Sequence, residues 1–181
     1  MIKNLVELTK VRIGFLVLTT TVIGFYLGAQ GSFSSSLLFY TIVGTLFSST
    51  GGSIINNVIE VESDKRMDRT KNRVLPTKKL SVNFALFLGL SSIVLGLSTL
   101  YFKVNTLTAL LSMLTIALYL LVYTPLKRVS WINTSIGAIP GAIPPLGGWT
   151  AATNSLDLGG IALFLILFFW QHPHFYAIAF M

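Results

Sequence analysis

Cysteine is absent from this sequence, and histidine occurs only twice, at His172 and His174. Disulfides, zinc–thiolate sites, iron–sulfur clusters and a cysteine nucleophile are therefore excluded together. Charge is scarce as well. Charged types make up 10% of the 181 residues, and only six residues are acidic. A soluble domain carries about 25% charged residues, so this chain cannot cover its surface with charge. Most of that surface must face lipid. Apolar types reach 53%, and the mean hydropathy is +0.76. The net charge of +7 raises nucleic acid as a partner. The placement of the bases argues against it, because they lie between long apolar runs, where they act as topology signals.

Crossing the hydrocarbon core takes ~20 mostly apolar residues. Six segments meet that need: 13–30, 37–59, 82–102, 106–126, 131–152 and 158–181. The expected fold is all-α, a polytopic transmembrane helix bundle of about six spans, forming one domain over 1–181. The first segment follows Lys3, Lys10 and Arg12, as a signal core would. Its apolar run exceeds the ~7–15 residues of such a core, so it reads as an uncleaved span. Apart from Lys103, every Lys and Arg falls before span one, within 61–79, or at Lys127 and Arg128. The positive-inside rule then puts those segments, and both ends of this chain, on the cytoplasmic side. The expected location is the bacterial plasma membrane.

Four of the six acids crowd into nine residues: Glu60, Glu62, Asp64 and Asp68. With Asn56, three of them recur every fourth residue. A helix would stack Asn56, Glu60, Asp64 and Asp68 on one face and turn Glu62 elsewhere. Like charges on one face need a counter-charge. Mg²⁺ supplies one, since it takes one or two carboxylates plus phosphate oxygens and water. Lys65, Arg66, Arg69, Lys71 and Arg73 follow directly. Acids for a metal beside bases for phosphate oxygens is the combination diphosphate binding requires. A solvated helix end with internal Glu–Lys and Asp–Arg pairs would also account for the spacing. Asn56 and Asn57 favour the functional reading, because polar groups at a membrane end are costly and often functional.

Three further segments carry polar or helix-breaking residues. Tyr123-Thr124-Pro125-Leu126-Lys127-Arg128 leads to Asn133; its bases are either an interfacial anchor or part of an anion site. Span five holds Gly137, Pro140, Gly141, Pro144, Pro145, Gly147 and Gly148. Proline removes a helix hydrogen bond, and broken backbone at membrane depth must be sheltered by protein or by a wet cavity. Span five should therefore line the bundle interior. Span six carries Trp170-Gln171-His172-Pro173-His174-Phe175 in its cytoplasmic half. Imidazole there can ligate heme iron or shuttle a proton.

Asn56-Asn57-x-x-Glu60-x-x-x-Asp64-x-x-Met67-x-Arg69-Thr70-Lys71-Asn72-Arg73-Val74-Leu75-Pro76 resembles the first aspartate-rich motif of the UbiA-type intramembrane prenyltransferases. Glu60 stands where the family usually has Asp. The Tyr123–Asn133 segment, the Gly-Ala-x-Pro-Pro-Leu-x-Gly-Trp run at 141–149 and Trp170–Phe175 are similar to the heme-farnesylating branch. The resemblance implies transfer of farnesyl from farnesyl diphosphate to a vinyl group of heme b, with Mg²⁺ as cofactor. It implies Asn56, Glu60 and Asp64 as catalytic residues and, with Asp68, as metal ligands. Lys65, Arg69, Lys71, Arg73, Lys127, Arg128 and Asn133 would face the diphosphate, and His172 and His174 the heme. It also implies nine helices and a second acidic motif beyond span six. This chain would then be the N-terminal two-thirds, with one of two motifs, and inactive by itself. Rival readings are a prenyltransferase for an aromatic quinone precursor, a small transporter with broken helices, and a non-catalytic membrane subunit.

Overall fold

A computed structural model describes residues 2–127 and 132–180. Among the described residues every regular element is helical. A short amphipathic helix, α1 (Ile2–Thr9), precedes six long ones. These are α2 (Val11–Ala29), α3 (Ser35–Arg66), α4 (Val82–Lys103), α5 (Thr106–Leu126), α6 (Asn133–Thr153) and α7 (Leu158–Phe180). Each expected span becomes one helix. The largest departure is α3, which runs on to Arg66 instead of ending at 59. Ser34, Ser81 and Asn105 cap α3, α4 and α5 by accepting a hydrogen bond from a first-turn N–H, as short polar side chains do at helix starts.

Five helices, α2, α3, α4, α5 and the Leu158–Ala177 part of α7, are long and apolar enough to cross a membrane. The chain is an integral membrane protein. At 21 residues α6 is long enough to cross too, at ~1.5 Å per residue. It is less apolar because its neighbours shield it. Pro140, Ala142, Pro145, Gly148 and Thr150 are all buried, and α6 packs against α2, α5 and α7. Span five thus lies inside the bundle, as expected. The expected break does not occur: α6 runs unbroken through Pro140, Pro144 and Pro145.

Small residues set the two closest helix pairings, α3 with α4 and α2 with α6. A Cβ at Gly96 would stand 2.7 Å from the Gly44 carbonyl oxygen, and one at Gly148 would collide with the Thr21 carbonyl. In lipid, association rests on such close backbone approach rather than on a hydrophobic drive. The register shows direction as well. Gly44 faces Gly96 while Gly51 faces Gly89, so α3 and α4 are antiparallel. Gly24 meets Pro145 while Gly28 meets Trp149, so α2 and α6 are parallel. The start of α2, the end of α3, the end of α5 and the start of α6 consequently gather at one end of the bundle. That end also receives the basic 67–80 connection, a succession of turns.

Candidate functional site

Gly52, Asn56, Glu60 and Asp64 follow one another at four-residue intervals on α3, and all four are buried. Gly52, without a side chain, leaves room for Tyr119 and Ile116 of α5. Asn56 sits one turn further on and is held at both ends of its amide. Its Nδ2 donates to Thr124 Oγ1 at 3.0 Å, and its Oδ1 accepts from Lys10 Nζ at 2.7 Å. The next two turns carry the acids. Glu60 pairs with Lys127 at 3.3 Å, and Asp64 with Arg73 Nη1 at 2.8 Å. The acidic side chains are 9% and 6% exposed, against 43% for Lys127 and 33% for Arg73. The carboxylates are thus sunk in the bundle end while the bases reach in from the water side. Two buried charges of one sign, one turn apart, are tolerable only with such partners.

The chain folds to bring Arg73 back. Met67 is extended and ends α3. Thr70 is buried and donates its hydroxyl to the Asp64 carbonyl oxygen at 3.1 Å. That bond reverses the connection over the helix end. Val74 N then donates to Glu7 Oε1 at 3.2 Å, tying the turn to α1. Asn57, next to the stacked face, donates to the Leu8 carbonyl at 2.9 Å, and its own Oδ1 is buried without a partner. Burial pushes the Lys10 ammonium down to about 8, with Glu60 opposing that shift.

Asp68 does not join the stack, which corrects the expectation of a fourth side chain on that face. The helix ends at Arg66, so the four-residue spacing loses its meaning two residues later. Asp68 is 97% exposed and paired with Lys71 at 2.7 Å. Lys65 is likewise spent on exposed Glu62, at 2.6 Å. Arg69 is exposed. Asn133 opens α6 and accepts from Thr134 Oγ1. Arg128 lies outside the described residues. Of the expected diphosphate bases, the structure brings Arg73 and Lys127 to the acids. It adds Lys10, which the sequence presents only as a topology signal, and Thr124, which lies in a motif but shows no role there. Their spacing from α3, 46 and 68 residues, leaves no periodic signal.

Thr124 reaches Asn56 because α5 changes pitch. Leu118–Tyr123 form a π-helical segment, and Thr124 Oγ1 donates to the Tyr119 carbonyl at 2.7 Å. Such wide turns often mark functional sites. The segment stacks Tyr119 on Tyr123 with ring centroids 5.8 Å apart, and Tyr123 lies over Gly137 of α6. One turn deeper is a small, mainly apolar cavity whose lining includes Thr45, Ser48, Leu111, Thr115, Ile116 and Ile143.

The two histidines diverge. Both ring nitrogens of His172 are engaged, one with the Phe168 carbonyl at 2.8 Å and one with Ser135 Oγ at 3.2 Å. His174 is exposed and stacks on Trp170.

Among the described residues no three carboxylate or imidazole side chains converge into a ready metal cage. Two carboxylates one turn apart, with an amide oxygen beside them, do fit a divalent cation that brings its remaining ligands as phosphate oxygens and water. The donor set suits a metal arriving with an anion.

An integral membrane bundle that sinks paired carboxylates among lysine and arginine heads is a candidate handler of polyphosphate esters. The chain belongs to the UbiA prenyltransferase family, whose model matches residues 17–181. It is 41% identical over 188 residues to the protoheme IX farnesyltransferase of Solibacter usitatus, covering 99% of this chain and 64% of that protein. It is 44% identical over 175 residues to the mitochondrial protoheme IX farnesyltransferase of Homo sapiens, covering 97% of this chain and 39% of that one. The chain therefore spans less than two thirds of these relatives' length. A solved digeranylgeranylglyceryl phosphate synthase shares the fold with a TM-score of 0.82 and 20% identity, over 92% of this chain and 58% of that one. A UbiA homologue from Aeropyrum pernix K1 has a TM-score of 0.74 at 20% identity, over 90% and 60%.

Proposed function

We propose that the protein transfers a farnesyl group from farnesyl diphosphate to a vinyl group of heme b, giving heme O. The observation that carries prenyl-diphosphate chemistry is the burial of Glu60 and Asp64 against Lys127 and Arg73. The choice of acceptor is supported by the names of relatives that are similar along nearly the whole of this chain. Asn56, Glu60 and Asp64 would hold Mg²⁺. When bound, the ion neutralises diphosphate charge as the prenyl C–O bond breaks. Lys127 and Arg73, now turned to the acids, would then face the departing oxygens. The electron pair of that bond would leave with diphosphate. The terminal vinyl carbon would attack the allylic cation, and the positive charge left on the other vinyl carbon would be quenched by water with loss of a proton, giving the alcohol. That cation needs an aromatic, water-poor wall. Tyr119, beside Gly52 on the same face of α3, and Tyr123 stacked on it would supply that wall, and the deeper cavity would offer room toward the prenyl tail.

For the acceptor, we propose that heme lies along the Trp170–His174 side of α7. His174 offers a ring nitrogen, and His172 keeps its place through Ser135. Both ends of the chain and the 67–80 connection are assigned to the cytoplasmic face, in a bacterial plasma membrane. The 181 residues contain one acidic motif, and catalysis is assigned to the longer protein that the relatives' lengths suggest. The deciding experiment gives the full-length protein farnesyl diphosphate, heme b and Mg²⁺, with chromatographic detection of heme O. Prenylation of a hydroxybenzoate or naphthoate in place of heme would overturn the acceptor and favour the quinone-precursor rival. A cysteine placed at Ser63 should resist impermeant thiol reagents in intact cells; ready labelling would reverse the orientation.

A further inference from the structure

The acidic face of α3 already holds a third cation besides Arg73 and Lys127. Lys10 reaches it from the junction of α1 and α2 and donates to Asn56 Oδ1 at 2.7 Å. That oxygen has a fixed direction, because Asn56 Nδ2 is bound to Thr124. Asn56 is 2% exposed. A neutral amide oxygen alone is a poor partner for an ammonium drawn out of water. The compensating charge is Glu60, one turn along the same face, with Asp64 beyond it; Arg73 and Lys127 oppose. Those two bases bind the carboxylates directly. Lys10 stands on the amide instead, at the one neutral oxygen of the proposed metal set.

The backbone supports the same reading. Lys10 has φ 50 and ψ 50, a left-handed conformation that non-glycine residues rarely adopt. Such strain persists only where the surroundings enforce it. Here the α1 side of the junction is pinned. Leu8 is buried and its carbonyl accepts from Asn57, while Glu7 accepts from Val74 N. The hinge is held so that Lys10 aims at Asn56.

We propose that Lys10 is the resident cation of this site, holding the place on Asn56 that a divalent metal takes, and moving to diphosphate oxygens when the metal arrives. This rests on the reading of the face as a metal–diphosphate site. An ammonium and a divalent cation cannot share Asn56 Oδ1, because like charges a few ångströms apart in a poorly hydrated site repel strongly. Lys10 therefore opposes metal binding alone and favours binding of metal with anion. The long lysine stem permits the move without unseating α1.

The test uses the full-length protein in detergent, with Mn²⁺ and inorganic pyrophosphate as probes. Free Mn²⁺ is measured by electron paramagnetic resonance for wild type, Lys10→Met, Lys79→Met and Asp64→Asn. Lys79 is an exposed lysine of the 67–80 connection and controls for net charge. Lys10→Met should bind Mn²⁺ on the order of tenfold tighter than wild type, and pyrophosphate in the presence of Mn²⁺ several-fold more weakly. Unchanged or weaker Mn²⁺ binding in Lys10→Met, or equal tightening in Lys79→Met, overturns the proposal. Mn²⁺ binding that is indifferent to Asp64→Asn overturns the metal-site reading itself. Wild-type protein gives a second arm that needs no variant. Amine-reactive footprinting read by mass spectrometry should show Lys10 protected without metal and several-fold more reactive with Mn²⁺; protection that Mn²⁺ leaves unchanged counts against displacement.

Discussion

Glu60 and Asp64 share a nine-residue stretch with Glu62 and Asp68, yet the two pairs live in different media. The first pair is 9% and 6% exposed and is met by bases from distant elements. The second is 71% and 97% exposed and is met by lysines three residues away. Glu62 differs by helical phase, and Asp68 by lying beyond the helix end. Local pairs between exposed side chains contribute little in water. A carboxylate sunk in a bundle end cannot stay charged without help, so its partners are built into the fold. The solvated-helix-end reading describes Glu62 and Asp68, while Glu60 and Asp64 in the same short stretch are buried and paired across the fold.

That contrast can be broken or sharpened by substitution in the full-length protein. The largest effect is expected at Asp64→Asn, which should lower the rate of prenyl transfer by on the order of 10²-fold. An equal loss from Glu62→Gln would end the distinction between the two pairs. Lys127→Met should come next, raising KM for farnesyl diphosphate about tenfold through loss of a charged hydrogen-bond donor; an unchanged KM would leave Lys127 as an anchor only. Thr124→Val should cost several-fold, because it frees the Asn56 amide, and Thr124→Ser should restore most of the loss. A loss in Thr124→Ser as large as in Thr124→Val would show that packing, not the hydroxyl, matters there. Asp68→Asn and Glu62→Gln should each stay within about twofold of wild type, and both should leave the thermal midpoint unmoved within about a degree.

Much of this was legible in residue order. Apolar runs located the six long helices because lipid demands length and apolarity together. Four-residue spacing placed Asn56, Glu60 and Asp64 on one face because α3 is a helix there. The same spacing failed at Asp68, since periodicity carries no notice of where a helix stops. The three prolines of α6 suggested a break that buried packing on three neighbours prevents. Lys10 and Thr124 were hidden for another reason. Their partner lies 46 and 68 residues away, and only the pairing of helix ends brings them to it. His172 illustrates the reverse case. Its type suggested a free ligand, whereas Ser135, far off in sequence, occupies its second nitrogen.

The π-helical segment Leu118–Tyr123 has a consequence for how this helix tolerates insertion and deletion. It works as a phase shifter within α5. One residue more or less in a helix rotates everything beyond it by about 100°. The wide turn sets the azimuth at which Thr124 and Lys127 emerge, toward Asn56 and Glu60 and not toward lipid. Deleting a single residue from 118–123 would shorten the helix by only ~1.5 Å, too little to disturb its fit to a bilayer. It would nevertheless swing Lys127 to another face. Length changes in this stretch act as rotations, and the site at the helix end is the part that would register them.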